Sequence, residues 1–379
     1  MYPSSKQKIK LINNLKICKS AYNNLLATSI DAYKFGKVSL TKFDYDAIIK
    51  GYSSDTHSQV IQNVSDRVNK AFKNFFRRVK DKSCKQKGFP RFKSRVNSIT
   101  FPQSGFKLLS DKKLKLSKIG SIPIILHRIP KGKIKTLTIK QNKAGQWFAC
   151  FSCELPDVKI KHQSTERVGI DVGIENFATI SNGEFITNPR HLVKSEKRLK
   201  LLQRRLSRKI KGSKNRNKAR FKVARLHNKI ANQRADFLHK LSSRLTKSYS
   251  FIAVEDLNIK GMVRNHCLAK HISDVSWGTF INMLSYKAVR CGGQIISGNP
   301  RNTSKECCVC GTIVEMPLSK RKFLCPYCGS SLHRDLNASH NILKVGTDCA
   351  KLNACGDSAS TTESVASGIV EAGTINDTV

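Results

Sequence analysis

The sequence predicts an α/β protein of several domains, and three observations carry that expectation. The chain has 379 residues, enough for two or three domains with cores of their own. Apolar residues recur at helical spacing in some stretches and form short strand-like runs bounded by turn residues in others. A cysteine quartet toward the carboxyl end marks a small metal-stabilised insert.

The elements follow in order. Tyr2–Arg95 reads as mostly helical, with Val60, Ile61, Val64, Val68, Ala71, Phe72 and Phe75 forming a stripe expected to be core. Gly88-Phe-Pro-Arg-Phe-Lys-Ser-Arg95 ends the helical pattern at Gly and Pro. Residues 98–155 change character: alternating runs such as Ile134–Ile139 and Trp147–Leu155 between turns predict a small antiparallel sheet or barrel. Cys150 and Cys153 lie three apart on that last strand, face opposite sides, and read as packing thiols. A linker over Pro156–Glu166 opens the second half. The segment from Gly346 to Val379 is rich in Ser, Thr, Gly and Ala, carries five acids and one Lys, and is expected to be a disordered tail.

Composition excludes whole classes of function. With 69 Lys plus Arg against 26 Asp plus Glu and a formal charge of +43, an isolated globule would repel itself, so a polyanion is the expected partner. The longest uninterrupted apolar run, Trp147–Phe151, is far below the roughly 18 residues of a membrane span. Met1–Leu15 is polar and basic and lacks the apolar core of a signal peptide. Thirteen cysteines in a chain of this size point to reduced thiols and metal, hence a cytoplasmic, nucleoid-associated protein without a membrane partner.

The charge is concentrated. His191–Ser248 carries 20 Lys/Arg and two acids, and Arg67–Arg95 carries 12 Lys/Arg and one acid. In the larger block, Leu199, Leu202, Leu206 and Ile210 form one apolar stripe. After a break at Gly212-Ser213, Val223, Leu226, Ile230, Phe237 and Leu241 form another. The two stripes predict an antiparallel helical hairpin with one packed seam. The rest of its surface is basic with few acids at i,i+4 to offset it, and phosphate is the natural counter-charge. Arg204, Arg205, Arg208, Lys209 and Arg234 are candidate nucleic-acid contacts on this block.

Two groups carry chemistry. Cys307-x2-Cys310 and Cys325-x2-Cys328, with 14 residues between the pairs, have the knuckle spacing of a closed, structural Zn²⁺ site. Gly311 and Gly329 directly after each pair suit the tight turns, and Cys308 is a bystander. The second group is three carboxylates. Asp171 stands alone in the apolar run Arg167–Ile174, Glu255 ends the run Phe251–Leu257, and Asp335 opens a short helix beyond the cysteines. A charge in a buried strand needs a cation. Converging carboxylates select Mg²⁺ or Mn²⁺, and such a site can hold two ions that activate water against a phosphodiester. Any one acid at a strand end is more often a cap or a surface ion pair, and spacings of 84 and 80 residues do not by themselves bring the three together.

The ordered set Gly-Ile-Asp171-Val-Gly, Asn232-Gln-Arg-Ala-Asp-Phe-Leu-His-Lys240, Val-Glu255-Asp-Leu, Ile272-Ser-Asp-Val-Ser-Trp-Gly278, Tyr286-Lys-Ala, Thr303-Ser, the cysteine quartet and Arg-Asp335-Leu-Asn-Ala resembles the TnpB family, transposon-encoded RNA-guided DNA endonucleases. It covers about residues 2–345. The resemblance implies an RNase H-like RuvC domain over 161–345 with Asp171, Glu255 and Asp335 as its Mg²⁺-binding acids. The basic hairpin 191–248 and a zinc ribbon over 303–331 would be inserted in it. It also implies a β-rich wedge domain over 96–160 and a helical recognition region over 1–95. A guide RNA from the transposon end would pair with double-stranded target DNA, and Gln62, with Ser58, would read a short flanking motif. Family members place a β-strand ahead of the position of Tyr2-Pro3, so the wedge is expected to lack its first strand. Lys305 stands where a Gln is common and His333 where an acid is usual; neither change removes a catalytic acid. Two alternatives accompany the nuclease: an RNA-guided DNA binder that does not cut, and a transposase that joins DNA ends.

Overall fold

The structure is a computed structural model and describes residues 1–52, 55–84, 86–156, 160–317 and 320–355. The chain divides into two compact units between Asp157 and Val158.

In the first unit, helix α1 (Ser5–Gly36) starts at a capping box in which the Ser4 side chain meets the Gln7 backbone and Gln7 answers. Leu11, Leu15, Cys18, Tyr22 and Leu25 then put one apolar face inward. Helices α2 (Lys42–Ile48) and α3 (Ser58–Lys80) follow. Six strands form two three-stranded antiparallel sheets. One orders β1 (Ser98–Phe101), β5 (Lys133–Gln141) and β6 (Trp147–Glu154). The other orders β2 (Phe106–Ser110), β3 (Lys113–Leu116) and β4 (Gly120–Pro123).

Helices and strands share one core, from Leu11 and Val64 to Phe101, Leu137 and Trp147. The expected boundary at 95/96 therefore separates helices from strands but not two cores. The α3 stripe is core only as far as Val68. Beyond it Phe72 and Phe75 are half-buried and pack edge-on against Phe89, itself 47% exposed. Phe72 still packs on that core from its half-buried position, so the core stripe gives out only beyond it. On β6, Cys153 is half-buried while Cys150 is exposed, so only the former packs.

The second unit is built on a five-stranded sheet in the order β11-β10-β7-β8-β9. Strands β7 (Arg167–Val172), β8 (Asn176–Ile180) and β9 (Phe185–Thr187) are antiparallel neighbours, whereas β10 (Phe251–Glu255) and β11 (Gln294–Gly298) run parallel to β7. Between β9 and β10 lie α4 (His191–Ser207) and the 35-residue α5 (Lys214–Ser248). Short helices α6 (Ile259–Met262) and α7 (Ala269–Val275) and the longer α8 (Trp277–Cys291) lead to β11. A two-stranded ribbon, β12 (Lys322–Leu324) with β13 (Ser331–His333), precedes α9 (Arg334–Cys355).

Both faces of β10 are covered, so it reads as an unbroken apolar run. Ile252 and Val254 pack with Leu241 and Leu245 of α5 and Phe280 and Leu284 of α8, whereas Phe251 and Ala253 pack with Ile342 of α9. α9 lies so close to the sheet that a Cβ built on Gly169 would stand 2.1 Å from the Ser339 carbonyl oxygen, and one on Gly346 would stand 2.5 Å from the Ala253 Cβ.

Two sequence expectations are corrected here. The helix opened by Asp335 is not short: it continues through the segment read as tail, to Cys355, because Ile342, Leu343 and Ala350 keep an apolar face on the sheet. Residues 356–379 of that tail lie outside the described residues. In the hairpin, Leu199, Val223, Leu226 and Ile230 form the seam with Leu202 and Leu206, but Ile210 is 80% exposed because α4 has already ended at Ser207. Phe237 and Leu241 belong instead to the core of the sheet.

Candidate metal centre

The position of each acid follows from strand parity. In β7, Val168 and Ile170 face the α5/α8 side, so Gly169 and Asp171 face α9. In β10, Phe251 and Ala253 face α9, and Glu255 shares their parity. The parallel ladder pairs Ile170 with Val254, so Asp171 and Glu255 occupy its next step on two adjacent strands, which lie about 4.8 Å apart in any sheet. Asp335 stands in the first turn of α9, on the same side. The His333 ring nitrogen accepts from the Asp335 backbone N–H at 3.3 Å and its ring packs edge-on against Phe185. That substitution therefore serves as a helix-end acceptor.

The three acids interact. Burial, and then the charges of Glu255 and Asp335, hold the Asp171 carboxyl well above the usual carboxylate range, against the opposing pull of Arg334. Burial also raises Glu255, opposed by a hydrogen bond from the Thr303 hydroxyl, which lies 2.5 Å from Oε1. Arg321 Nη2 is 2.6 Å from Glu175 and its Nη1 is 3.7 Å from Asp335. Among the described residues the acids are not drawn into a closed ligand cluster. Like charges repel, Thr303 holds one acid and Arg321 attracts another. Three hard carboxylate donors, two of which crowd Asp171 with negative charge, fit a divalent cation of the Mg²⁺ or Mn²⁺ type.

Sequence reading misses the roles of Thr303 and Arg321. Thr303 lies four residues before a cysteine ligand, a spacing that draws attention to it, but nothing in the chain links Arg321 to Glu175.

The cysteine quartet does close. The donor atoms of Cys307, Cys310, Cys325 and Cys328 all lie within 4.8 Å of one another, with Cys307 to Cys328 at 3.7 Å and Cys310 to Cys325 at 3.6 Å. Those separations match the edge of a tetrahedron with Zn–S bonds of about 2.3 Å, which is about 3.8 Å. Gly311 and Gly329 take φ of 78° and 71°, the left-handed turns that each knuckle requires. Burial raises the Cys307 thiol, but the Cys310 and Val309 amides and the Ser330 hydroxyl outweigh it and lower it to about 6. Cys308 stays outside the cluster, its amide on Asn337.

Of the candidate nucleic-acid contacts, Arg204, Arg205, Arg208 and Lys209 are exposed on the hairpin, and Gln62 and Ser58 are exposed on α3. A groove between α4 and α5 is lined by Arg198, Arg205, Lys222, Arg225 and Lys229. Arg234 differs from them: its guanidinium turns inward onto Asp274, 8% exposed, at 2.8 Å. It is a structural ion pair because α5 has by then reached the core. No helix among the described residues is long and apolar enough to cross a membrane.

Residues 150–266 match a family model described as "Probable transposase", of the OrfB/IS605 type, and residues 277–342 match the Cas12f1-like TNB domain. The chain is 35% identical over 373 residues to a "Putative RNA-guided DNA endonuclease" of Streptomyces pristinaespiralis, covering 94% of this chain and 89% of that protein. It is 31% identical over 371 residues to a protein of the same description, InsQ, from Escherichia coli K12, covering 91% and 90%. A TnpB-like protein of Methanocaldococcus jannaschii is 32% identical over 127 residues, 33% of this chain and 29% of that protein. The chain belongs to the TnpB family, in which its two near-full-length relatives above carry the name "Putative RNA-guided DNA endonuclease".

Proposed function

We propose that the second unit is an RNase H-like (RuvC) nuclease domain and that the whole protein is the RNA-guided, metal-dependent DNA endonuclease of an insertion-sequence transposon. The observation that carries this reading is the shared parity of Asp171 and Glu255 on the face where α9 presents Asp335. Bound there, two divalent ions would activate water and stabilise the leaving oxygen of a phosphodiester. The chain's own part is to hold three carboxylates on rigid elements, with Thr303 fixing Glu255. The cysteine site, with all four positions supplied by thiolates, is read as structural Zn²⁺. Guide RNA from the transposon end and double-stranded target DNA are the partners the basic groove of the hairpin would meet, and Gln62 and Ser58 are proposed to read the flanking motif.

The test is to purify the protein with its transposon-end RNA, supply matching DNA and Mg²⁺, and compare Asp171→Ala. Cleavage by the parent alone is expected, and equal cutting by both sinks the reading. Target retention without cutting, even in Mn²⁺, would make it a binder. Strand transfer without RNA would make it a transposase.

A further inference from the structure

One stretch of chain joins the two metal sites. Residues 303–308 run from Thr303, 5% exposed, to the first cysteines. Helix α9 grips this stretch with two buried amides. Asn341 Nδ2 donates to the Thr303 carbonyl at 2.8 Å and to the Glu306 carbonyl at 2.6 Å. Asn337 Nδ2 donates to the Glu306 carbonyl at 2.7 Å, and its Oδ1 accepts from the Cys308 N–H at 2.9 Å. Asn337 and Asn341 are 0% and 2% exposed. At its near end the stretch places the Thr303 hydroxyl on Glu255; at its far end it supplies Cys307 to the quartet.

We infer that Thr303 is a positioning residue for the acidic metal site and that the 303–308 stretch is a latch through which the cysteine site governs divalent-cation affinity at the acids. This rests on the nuclease reading of those acids. A carboxylate rotates freely about its last bond unless something fixes it. Here the Thr303 hydroxyl fixes one oxygen of Glu255 and leaves the other for a cation. Thr303 in turn is fixed by Asn341 and by the knuckle that begins four residues on. With the knuckle empty of Zn²⁺, its four thiols lose the tie that holds them together. Cys307 then no longer anchors the stretch, which leaves Asn337 and Asn341 alone to hold it and loosens Thr303 on Glu255. Partners of this kind, behind the ligands, typically set metal affinity by about tenfold or more.

The test uses the full-length chain freed of copurifying nucleic acid, with Mn²⁺ alone as the probe, free and bound ion being distinguished by electron paramagnetic resonance. Thiolates are poor ligands for Mn²⁺, so the signal reports the acids. Thr303→Val is expected to weaken Mn²⁺ binding about tenfold while retaining one Zn²⁺ per chain by elemental analysis, and Thr303→Ser to restore it. Cys328→Ser, which lacks a zinc ligand, is expected to show the same loss, and the double variant no more than either single one. Parental affinity in Thr303→Val overturns the positioning role, and parental affinity in Cys328→Ser overturns the coupling. Asp335→Asn guards the underlying reading. If it binds Mn²⁺ as the parent does, or the parent binds none, the acids are not the metal site and the latch falls with them.

Discussion

Arg234 and Asp274 form an ion pair inside the second unit, Nη2 to Oδ1 at 2.8 Å, and the other Asp274 oxygen accepts from the Leu192 backbone N–H at 3.1 Å. One carboxylate thus ties the start of α4 and the middle of α5 to α7. Removing one partner of such a pair leaves a buried charge alone. Arg234→Gln is therefore expected to lower stability by about 3 kcal/mol in denaturant titration, with RNA affinity of the folded protein unchanged.

The exposed hairpin arginines behave differently. Changing Arg204, Arg205 and Arg208 together to Gln should leave the melting temperature nearly unchanged and weaken RNA binding. The slope of log affinity against log salt should flatten by about 0.7–0.9 for each phosphate that the variant no longer neutralises. An unaltered slope would return these residues to an ordinary solvated helix face.

The raised pKa of Asp171 makes the metal-free protein sensitive to pH. Asp171 binds its proton more tightly folded than unfolded, because of burial and then of Glu255 and Asp335. Between the unfolded value near 3.8 and the raised folded value, the native state holds more protons, so stability falls as pH rises through that window. Asp171→Asn should remove this decline and make the metal-free protein more stable than the parent at neutral pH. Melting temperatures of both proteins across pH in chelator, then with Mg²⁺, check it: the ion should raise the parent and leave the variant nearly unmoved.

At the cysteine site, Cys310→Ser is expected to lose stoichiometric Zn²⁺, since three thiolates no longer close the tetrahedron. Elemental analysis of the purified variant decides this, and one retained Zn²⁺ per chain would refute Cys310 as a ligand.

The close approach of α9 to the sheet makes Gly169 intolerant. An added methyl would meet the Ser339 carbonyl oxygen at 2.1 Å and the Leu343 nitrogen at 2.7 Å, backbone atoms that move only with the whole helix. Gly169→Ala should cost about 1–3 kcal/mol by thermal or denaturant unfolding. Any smaller effect would mean that α9 shifts freely.

Local patterns carry much of this architecture. The apolar run at Phe251–Glu255, the knuckle spacing and the hairpin stripes reflect forces that act within a few residues, and each is visible in the chain. Strand parity even fixes the side on which Asp171 and Glu255 emerge, once the order β10-β7 is known. The order itself comes from long-range packing. Arg234 reads as a phosphate contact because its charge resembles its neighbours', and only the approach of α7 makes it internal. Gly346 reads as the start of a loose tail because it is small, although on α9 it lets the helix press close on Ala253. The tie between Thr303 and Glu255 spans 48 residues and leaves no periodic trace.

Helix α5 contains neither Gly nor Pro across its 35 residues. Its inner turns, at Leu238, Leu241 and Leu245, are part of the sheet's core, and its outer turns, at Val223, Leu226 and Ile230, hold the hairpin. A rod of about 50 Å without a joint cannot search for its partner. The basic tip is held at a fixed bearing from Asp171, Glu255 and Asp335. A strand gripped at its tip would meet the carboxylates at a distance counted in helical turns, and lengthening both arms by whole turns would move that mark.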